Sequence, residues 1–278
     1  MLNQLRAKLQ QGTPTLGTFV QLGDPAIIEC LALAGLDYVV LDLEHGPGSV
    51  AGAAAQILAA ERHSLTPLVR VKDTSRAAVM NLLDQGAQGL VIPAIKTVEE
   101  VQRLVQYGKY APLGERGFGP SRASAFSYAP ALQNLGEYLA RCNRETLLLP
   151  QCETRECLEQ VEEIVQVEGV DGLFIGPFDL SIALGVPAQF EAEVMQRALR
   201  RILTACQAAG KYCFIYADRT RARQRLEEGF HSVATSMDTV ELIHAYQRLV
   251  RAVRGEAPEG VRTRTPREQR AERTAERR

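Results

Sequence analysis

The chain has 278 residues, a formal net charge of -1 at pH 7 and a hydrophobic fraction of 46%. This length allows one large α/β domain or two smaller ones, and the near-zero charge gives no reason to expect nucleic acid or an anionic membrane as a partner. No apolar run is long enough to span a membrane, and Leu2, Leu5 and Leu9 predict a short N-terminal helix rather than a signal peptide. We therefore expect a cytoplasmic protein.

The six cysteines show no paired C-x-x-C spacing, and several fall inside apolar segments. Free thiols in a reducing compartment explain this pattern better than a disulfide framework. Cys152 has the opposite strand parity to Gln151 and Glu153, so its side chain is expected to point away from any site those two form.

Eight short apolar segments rich in β-branched residues predict strands, at 15–21, 38–43, 67–71, 89–92, 146–151, 172–175, 212–216 and 231–235. Helix-period stretches lie between most of them, at 25–34, 75–83, 98–107, 155–165, 192–209 and 220–228. Several helical stretches end at a glycine, such as Gly35 or Gly210, just before the next strand. Eight such units in about 250 residues predict a single closed (β/α)8 barrel, the TIM-barrel class of α/β folds.

Two regions depart from this alternation. The connection 110–144 is expected to be a long irregular loop, and its glycines do not form a phosphate-binding fingerprint, which argues against nucleotide binding. Residues 255–278 contain few apolar side chains and many Arg and Glu of nearly offsetting charge. We therefore predict a barrel domain over residues 1–254 and a disordered charged tail over 255–278.

Ionisable side chains stand where predicted strands end, which in such a barrel is where catalytic groups are found. His45 follows two acids after the second strand and suits a general base, the alternative being a loop histidine bonded to the backbone. Arg70 ends an apolar strand and suits a developing oxyanion. Its alternative, a salt bridge to Asp42 or Glu44, could coexist with that role.

Glu153 and Asp179 follow the ends of the fifth and sixth strands, close enough for two carboxylates to hold one ion. Oxygen ligands with few protein donors suit Mg²⁺ or Mn²⁺. Each acid has an alternative role at a helix N-terminus, but the pair at adjacent strand ends favours metal. Gln151 lies on the same face as Glu153, and the backbone N–H groups of Phe178 and Asp179 could receive a substrate carboxylate.

The chain resembles the HpcH/HpaI aldolase family of class II, metal-dependent pyruvate aldolases. The resemblance rests on Leu41-Asp42-Leu43-Glu44-His45-Gly46, Val69-Arg70-Val71, Gly114-Glu115-Arg116-Gly117, Gln151-Cys152-Glu153-Thr154 and the segment 167–177. It covers nearly the whole barrel, from Gly17 to about Leu242.

The resemblance implies a role for each site residue. Glu153 and Asp179 would bind a divalent cation (Mg²⁺, Mn²⁺ or Co²⁺), and Gln151 with the backbone of Phe178 and Asp179 would hold the keto acid. His45 would be the acid/base, Asp84 would raise its basicity, and Arg70 would stabilise the transition state. Family members are typically hexamers whose subunits exchange C-terminal helices. For this chain the resemblance implies a homohexamer, a trimer of dimers.

The expected reaction is reversible cleavage of a 2-keto-4-hydroxy acid to pyruvate and an aldehyde, such as a hydroxyaldehyde. Phe178 stands where the family usually has a small residue, and strand seven is bulkier than usual, so both bear on the substrate. The alternatives are an acyl-CoA lyase of the citrate lyase β type and a non-catalytic metabolite-binding barrel. Schiff-base chemistry is a further alternative, but none of the five lysines, 8, 72, 96, 109 and 211, has the setting of a desolvated lysine inside the barrel.

Overall fold

Eight parallel strands close on themselves in chain order in a computed structural model that describes residues 2–256. The strands are β1 (Thr15–Val20), β2 (Tyr38–Asp42), β3 (Thr66–Arg70), β4 (Gly89–Ile92), β5 (Leu147–Cys152), β6 (Gly172–Ile175), β7 (Tyr212–Ala217) and β8 (Ser232–Met237). Pairing of β1 with β8 closes the barrel. The sequence prediction of a (β/α)8 barrel is confirmed, and every strand lies within two residues of its predicted bounds.

Helices connect the strands. They are α1 (Gln4–Gln10), α2 (Pro25–Leu33), α3 (Val50–Arg62), α4 (Arg76–Asp84), α5 (Val98–Gly108), α6 (Leu135–Glu145), α7 (Arg155–Glu159), α8 (Val161–Ile164), α9 (Pro177–Ala183), α10 (Glu193–Ala208), α11 (Ala222–Glu227) and α12 (Asp238–Arg254). The predicted helix 155–165 is broken at Gln160, which has φ -108° and ψ 16°.

The connection 110–144 was expected to be irregular, and this is wrong for its second part. Helix α6 occupies Leu135–Glu145, with Asn134 as its N-cap, and two short 3-10 segments precede it. The sequence analysis also missed α3, whose Val50-Ala51-Gly52-Ala53-Ala54-Ala55 start favours helix by propensity but carries little apolar periodicity.

Side-chain parity along the strands separates two apolar layers. The barrel interior contains the buried side chains of Phe19, Tyr38, Val40, Leu68, Val91, Leu147, Leu149, Phe174, Phe214 and Ala234. Alternate positions, such as Leu148 and Cys152, belong to the layer between barrel and helices. Cys152 therefore lies on the opposite side of the sheet from Leu147 and Leu149, as its parity predicted. All six cysteines are free thiols.

Helix α1 closes the end of the barrel where the strands begin. Its Leu5 and Leu9 are buried with the interior layer, and the Leu5 backbone N–H donates to Thr66 Oγ1 at the first residue of β3. The interior at this end is therefore filled, and the end where the strands finish is left for chemistry.

The chain divides into two compact units between Thr239 and Val240, within α12. Taken by itself, α12 carries large apolar side chains that are exposed: Leu242, Ile243, Tyr246, Leu249, Val250 and Val253. The predicted tail lies outside the described residues from position 257 onward, and the boundary after residue 254 stays a prediction. Within residues 2–256 no helix is both long and apolar enough to cross a membrane.

Gly172 provides a test of the strand register. A Cβ there would lie 2.3 Å from the backbone oxygen of Tyr212, its partner on β7, and a backbone atom of a barrel cannot easily move aside. We expect Gly172→Ala to lower the free energy of unfolding by roughly 1–3 kcal/mol, the scale of overpacking. Gly23→Ala, which meets nothing within 4 Å, is the matched control in urea titrations. Equal stability of the two variants would contradict the register.

Candidate active site

The ionisable residues singled out from the sequence lie around the end of the barrel where the strands finish, with one exception, Asp84. Asp42 and Arg70 are the last residues of β2 and β3. Glu153 follows β5 directly, and Asp179 lies in the first turn of α9, just after β6. Parallel strands bring these positions to one mouth, as the strand-end pattern predicted.

Arg70 is held by two carboxylates. Its Nε and Nη2 donate to Asp42 Oδ1 and Oδ2 at 2.9 and 2.8 Å, and its Nη1 lies 3.1 Å from Glu44 Oε2. The guanidinium carbon also lies 4.9 Å from the centre of the Phe19 ring. The side chain is 7% exposed, so this planar, bidentate arrangement fixes a positive charge at the mouth.

Asp42 is the residue that organises this corner. Besides Arg70, it accepts hydrogen bonds from Gln21 Nε2 and from the backbone N–H groups of Glu44 and His45. Burial raises the pKa of Asp42, but the hydrogen bonds and charge of Arg70 outweigh burial and hold that pKa below its ordinary value. Glu44 has the opposite balance, because burial raises its pKa more than Arg70 lowers it.

The imidazole of His45 is exposed and lies beside Glu44. The side chain is 62% exposed, and Nε2 lies 3.9 Å from Glu44 Oε2. Its backbone N–H donates to Asp42 Oδ1 at 3.3 Å, so the loop position is fixed while the ring stays accessible. A fixed backbone with an accessible ring is what a general base at this position needs.

Glu153 is the buried acid of the site. The backbone N–H of Ala94 donates to its Oε1 at 2.7 Å, and Gln151 Nε2 donates to its Oε2. Burial, reinforced by the nearby charges of Asp179 and Glu44, raises the pKa of Glu153 to about 7. Gly176 leaves the room for this pair, since a Cβ there would lie 2.4 Å from Glu153 Oε2.

The side-chain oxygens of Gln151, Glu153 and Asp179 are of the kind that bind a divalent cation. Gln151 Oε1 is buried and has no hydrogen-bond partner among the described residues, and the acids Glu153 and Asp179 repel each other. A cation would relieve that repulsion, and Mg²⁺ needs only one or two carboxylates because it retains water ligands. Residues 2–256 contain no group of three or more His, Cys, Asp or Glu side chains placed to hold a metal.

Phe178 stands at the edge of this site. Its side chain is 46% exposed and packs edge-on against Phe190, with ring centres 4.8 Å apart, and against Tyr216 at 6.2 Å. Helix α9 begins at Pro177 without a capping side chain, so no side chain takes up the backbone N–H groups of its first turn. The backbone N–H groups of Phe178 and Asp179 belong to this first turn.

Asp84 lies at the other end of the barrel from His45. It is the last residue of α4 and precedes the start of β4, whereas His45 follows the end of β2. Its carboxylate accepts from Arg116 Nη2 at 2.7 Å. Within one chain, Asp84 is therefore not placed to contact His45.

Lys109 is buried, a position that the sequence analysis did not predict for any of the five lysines. Its Nζ donates to Asn143 O, Thr146 O and Asp171 Oδ2 at 2.8, 2.6 and 3.0 Å. Thr146 and Asp171 immediately precede β5 and β6, so Lys109 sits at the starting ends of the strands. Lys72 and Lys96 are exposed. None of these three lysines is placed for Schiff-base chemistry at the mouth.

Comparison with known proteins identifies the family of this chain. The family model described as HpcH/HpaI aldolase/citrate lyase matches residues 15–245. The chain belongs to this family. It is 38% identical over 263 residues to the hydroxypyruvate/pyruvate aldolase of Deinococcus radiodurans, covering 92% of each chain. It is 34% identical over 239 residues to the 2-keto-3-deoxy-L-rhamnonate aldolase of Salmonella dublin, covering 86% of this chain and 88% of that one.

A solved structure from the same family has a similar fold. The HpcH/HpaI aldolase/citrate lyase family protein from Burkholderia cenocepacia J2315 superposes with a TM-score of 0.83 at 32% identity, over 91% of this chain and 99% of that one. The predicted resemblance is confirmed, and with it the prediction of a class II aldolase, a carbon–carbon lyase of the HpcH/HpaI family.

Sequence reasoning missed one contact that shapes this HpcH/HpaI site. The N–H of Ala94 reaches Glu153 because Ala94 adopts φ 55°, a conformation that non-glycine residues rarely take. The only sequence signal is the preceding Pro93, and that does not specify a left-handed residue. Asp42 was considered only as an alternative partner of Arg70, whereas it bonds to four neighbours.

Asp42→Asn tests the organising role of this carboxylate. The change leaves the guanidinium of Arg70 buried with one carboxylate fewer, so we expect a loss of roughly 3 kcal/mol in unfolding free energy at neutral pH. Because the pKa of Asp42 in the folded state lies below its ordinary 3.8, this contribution is complete above that pH and disappears only as pH falls further.

The measurement is urea unfolding of wild type and variant at neutral pH and in acid. Asp73→Asn is the control, because Asp73 also has a lowered pKa but is exposed and bonds only its own turn at Ser75. We expect a change within about 0.5 kcal/mol there. A difference between wild type and Asp42→Asn that grows as the medium is acidified would contradict the sign given above.

Proposed function

We propose that this chain is a divalent-metal-dependent aldolase that cleaves a 2-keto-4-hydroxy acid to pyruvate and an aldehyde, and joins them in reverse. The observation that carries the proposal is the fixed guanidinium of Arg70 facing the same mouth as the buried Gln151–Glu153 pair. The guanidinium of Arg70 and a metal ion bound at Glu153 would both be positive charges at one mouth. Such charges stabilise the negative oxygen of an enolate. The named activities of the aldolase relatives support this choice.

Glu153 and Asp179 would hold the metal, which is Mg²⁺, Mn²⁺ or Co²⁺. When bound, such an ion supplies Lewis-acid polarisation of the keto acid's oxygens. Gln151 Oε1, buried and without a partner among the described residues, is available as a further oxygen at this position. Gln151 and the backbone N–H groups of Phe178 and Asp179 would orient the pyruvate half of the substrate.

His45 would take the proton from the C4 hydroxyl of the substrate. The C3–C4 bond then breaks, its electron pair passes to the pyruvate half as an enolate, and the aldehyde is released. Arg70 would stabilise the developing enolate oxygen, and its bonds to Asp42 and Glu44 mean that it needs little reorganisation to do so. Protonation of C3 completes pyruvate.

Asp84 enters this scheme only through a second copy of the chain. Since Asp84 and His45 lie at opposite barrel ends, one subunit's Asp84 would support His45 of another where the two ends meet. The exposed apolar side chains of α12 support association, because Leu242, Tyr246, Leu249 and Val253 recur at spacings of four, three and four residues. We therefore propose a homohexamer, a trimer of dimers with exchanged α12 helices.

The location proposed is the cytoplasm. All six cysteines are free, and Cys152, Cys157, Cys206 and Cys213 are buried with no disulfide to stabilise the layer they occupy. Free buried thiols are typical of a reducing compartment.

The other candidate functions have less support. Both curated relatives described above are aldolases, which favours this chemistry over that of an acyl-CoA lyase. A non-catalytic barrel would not need an accessible His45 beside a fixed Arg70.

Metal dependence tests the proposal. We expect a chelator to abolish aldol cleavage and added Mg²⁺, Mn²⁺ or Co²⁺ to restore it. Glu153→Gln keeps the shape of the side chain but removes its charge, so it is expected to lose Mn²⁺ binding, measured from the electron paramagnetic resonance of free Mn²⁺. Glu156→Gln, an exposed neighbour on α7, is the control. Full turnover in the chelated enzyme, or normal Mn²⁺ binding by Glu153→Gln, would sink the metal assignment.

Phe178 is expected to restrict the aldehyde half of the pocket. Phe178→Ala removes a ring without touching the predicted metal and pyruvate contacts, so acceptance of longer or branched aldehydes is expected to rise relative to short ones. The measurement is the ratio of kcat/KM for a long and a short hydroxyaldehyde, with Mn²⁺ affinity unchanged. Phe190→Ala separates the explanations, because an equal change there would mean that loosening the aromatic cluster, rather than opening the pocket, is responsible.

A further inference from the structure

A second polar cavity lies far from the mouth, at the end of the barrel where the strands begin. Most of its lining residues lie between the end of α4 and β4, in the connection that follows α5 and in helix α6, and Asn3 and Glu61 complete the lining. Three arginines and two tyrosines line it, together with apolar side chains such as Leu83. We call it the arginine cavity, defined by Tyr110, Arg116, Arg122, Tyr138 and Arg141.

Arg116 is buried with an unmade hydrogen bond. Its side chain is 5% exposed, Nη2 donates to Asp84, and the guanidinium carbon lies 4.7 Å from the centre of the Tyr110 ring. Its Nε is buried and has no hydrogen-bond partner among residues 2–256. A buried charged donor without an acceptor is costly and points to a missing ligand, ion or water.

Arg122 is built tightly into the wall. Its Nε donates to the backbone oxygen of Gln85 at 2.6 Å, and Nη2 lies 2.8 Å from Glu61 Oε2. Gly86 makes room for it, since a Cβ there would lie 2.6 Å from Arg122 Nη2 and Gly86 already has φ 98°. Two of the three arginines are therefore held in place before any ligand arrives.

Arg141 supplies a charge that the described residues do not offset. Its guanidinium carbon lies 5.6 Å from the centre of the Tyr138 ring, and it makes no ion pair within residues 2–256. Two acids also line the cavity, but both have partners: Glu61 pairs with Arg122, and Glu145 accepts from the backbone N–H of Asn3. The donors at this cavity that have no acceptor among the described residues are the buried Arg116 Nε and the guanidinium of Arg141.

We propose that the arginine cavity is a binding site for a small oxyanion, a carboxylate or a phosphate group, held by Arg116 and Arg141. Planar guanidinium groups bind both kinds of oxyanion through paired N–H donors. An anion here would share the Arg116 guanidinium with Asp84, so binding would also bear on the residue that ends α4. The argument for binding rests on the arginines, but Arg116 contacts Asp84, which the proposed assembly places beside His45 of another copy of the chain.

Titration calorimetry on the full-length protein tests this site, with inorganic phosphate and acetate as separate probes and equal Mg²⁺ in cell and syringe. The chain contains eight tyrosines and no tryptophan, so tyrosine emission gives a second readout to which Tyr110 and Tyr138 contribute. We expect saturable binding of at least one probe by wild type. Arg141→Gln and Arg116→Lys are expected to weaken it by about tenfold or more, the usual scale for a lost charged hydrogen bond.

Two controls separate this site from others. Arg144→Gln removes an exposed arginine from the same helix as Arg141, and Arg200→Gln removes an exposed arginine from α10. Both are expected to bind the probe as wild type does. Phosphate-only binding would identify the ligand class as phosphates, and acetate-only binding as carboxylates. The proposal is overturned if wild type binds neither probe, if Arg141→Gln binds the probe as wild type does, or if Arg144→Gln weakens binding as much as Arg141→Gln.

Discussion

The bidentate bond between Arg70 and Asp42 is the interaction on which the site depends. A guanidinium that is 7% exposed cannot stand alone at the end of a strand, because an unpaired buried charge costs several kcal/mol. Asp42 offsets that charge, and the same carboxylate accepts the backbone N–H groups of Glu44 and His45. One acid therefore fixes both the proposed oxyanion-stabilising cation and the loop that carries the proposed base.

The two ends of the barrel carry different clusters of charged side chains. At the mouth, the charges of Asp179 and Glu44 act on Glu153 and help to raise its pKa, and Glu44 also contacts Arg70. At the other end, Lys109 satisfies Asp171 and two carbonyl groups, and Arg116 holds Asp84. Since Asp84 cannot reach His45 within one chain, the role implied for it by family resemblance makes association of subunits part of the catalytic proposal.

The strands and the side chains at their ends could be predicted from the sequence because both follow local rules. Alternation along β5 was enough to put Leu147 and Leu149 inside and Cys152 outside. The end of the barrel that holds Asp84 could also have been deduced, because residues just before a strand lie at its starting end. Helix α3 was missed because alanines give little apolar periodicity, and α6 because it interrupts a segment rich in loop residues.

What could not be predicted depends on long-range contacts. The burial of Lys109 follows from three acceptors 34 to 62 residues away, and the Ala94–Glu153 bond joins residues 59 apart through an unusual backbone conformation. Nothing local to either residue signals such a partner. The same is true of the arginine cavity, whose lining residues come from five separate parts of the chain.

Exchange of the pyruvate methyl protons with deuterium is the most direct test of the central claim, that Arg70 and a divalent cation together stabilise a pyruvate enolate. Proton magnetic resonance of pyruvate in D₂O follows this exchange without any aldehyde. The account predicts exchange by the wild type with Mg²⁺ or Mn²⁺, none after chelation and little in Arg70→Lys, which keeps the charge but loses the planar fork. Exchange that persists in the chelated protein, accompanied by a borohydride-stable pyruvyl-lysine adduct, would contradict it.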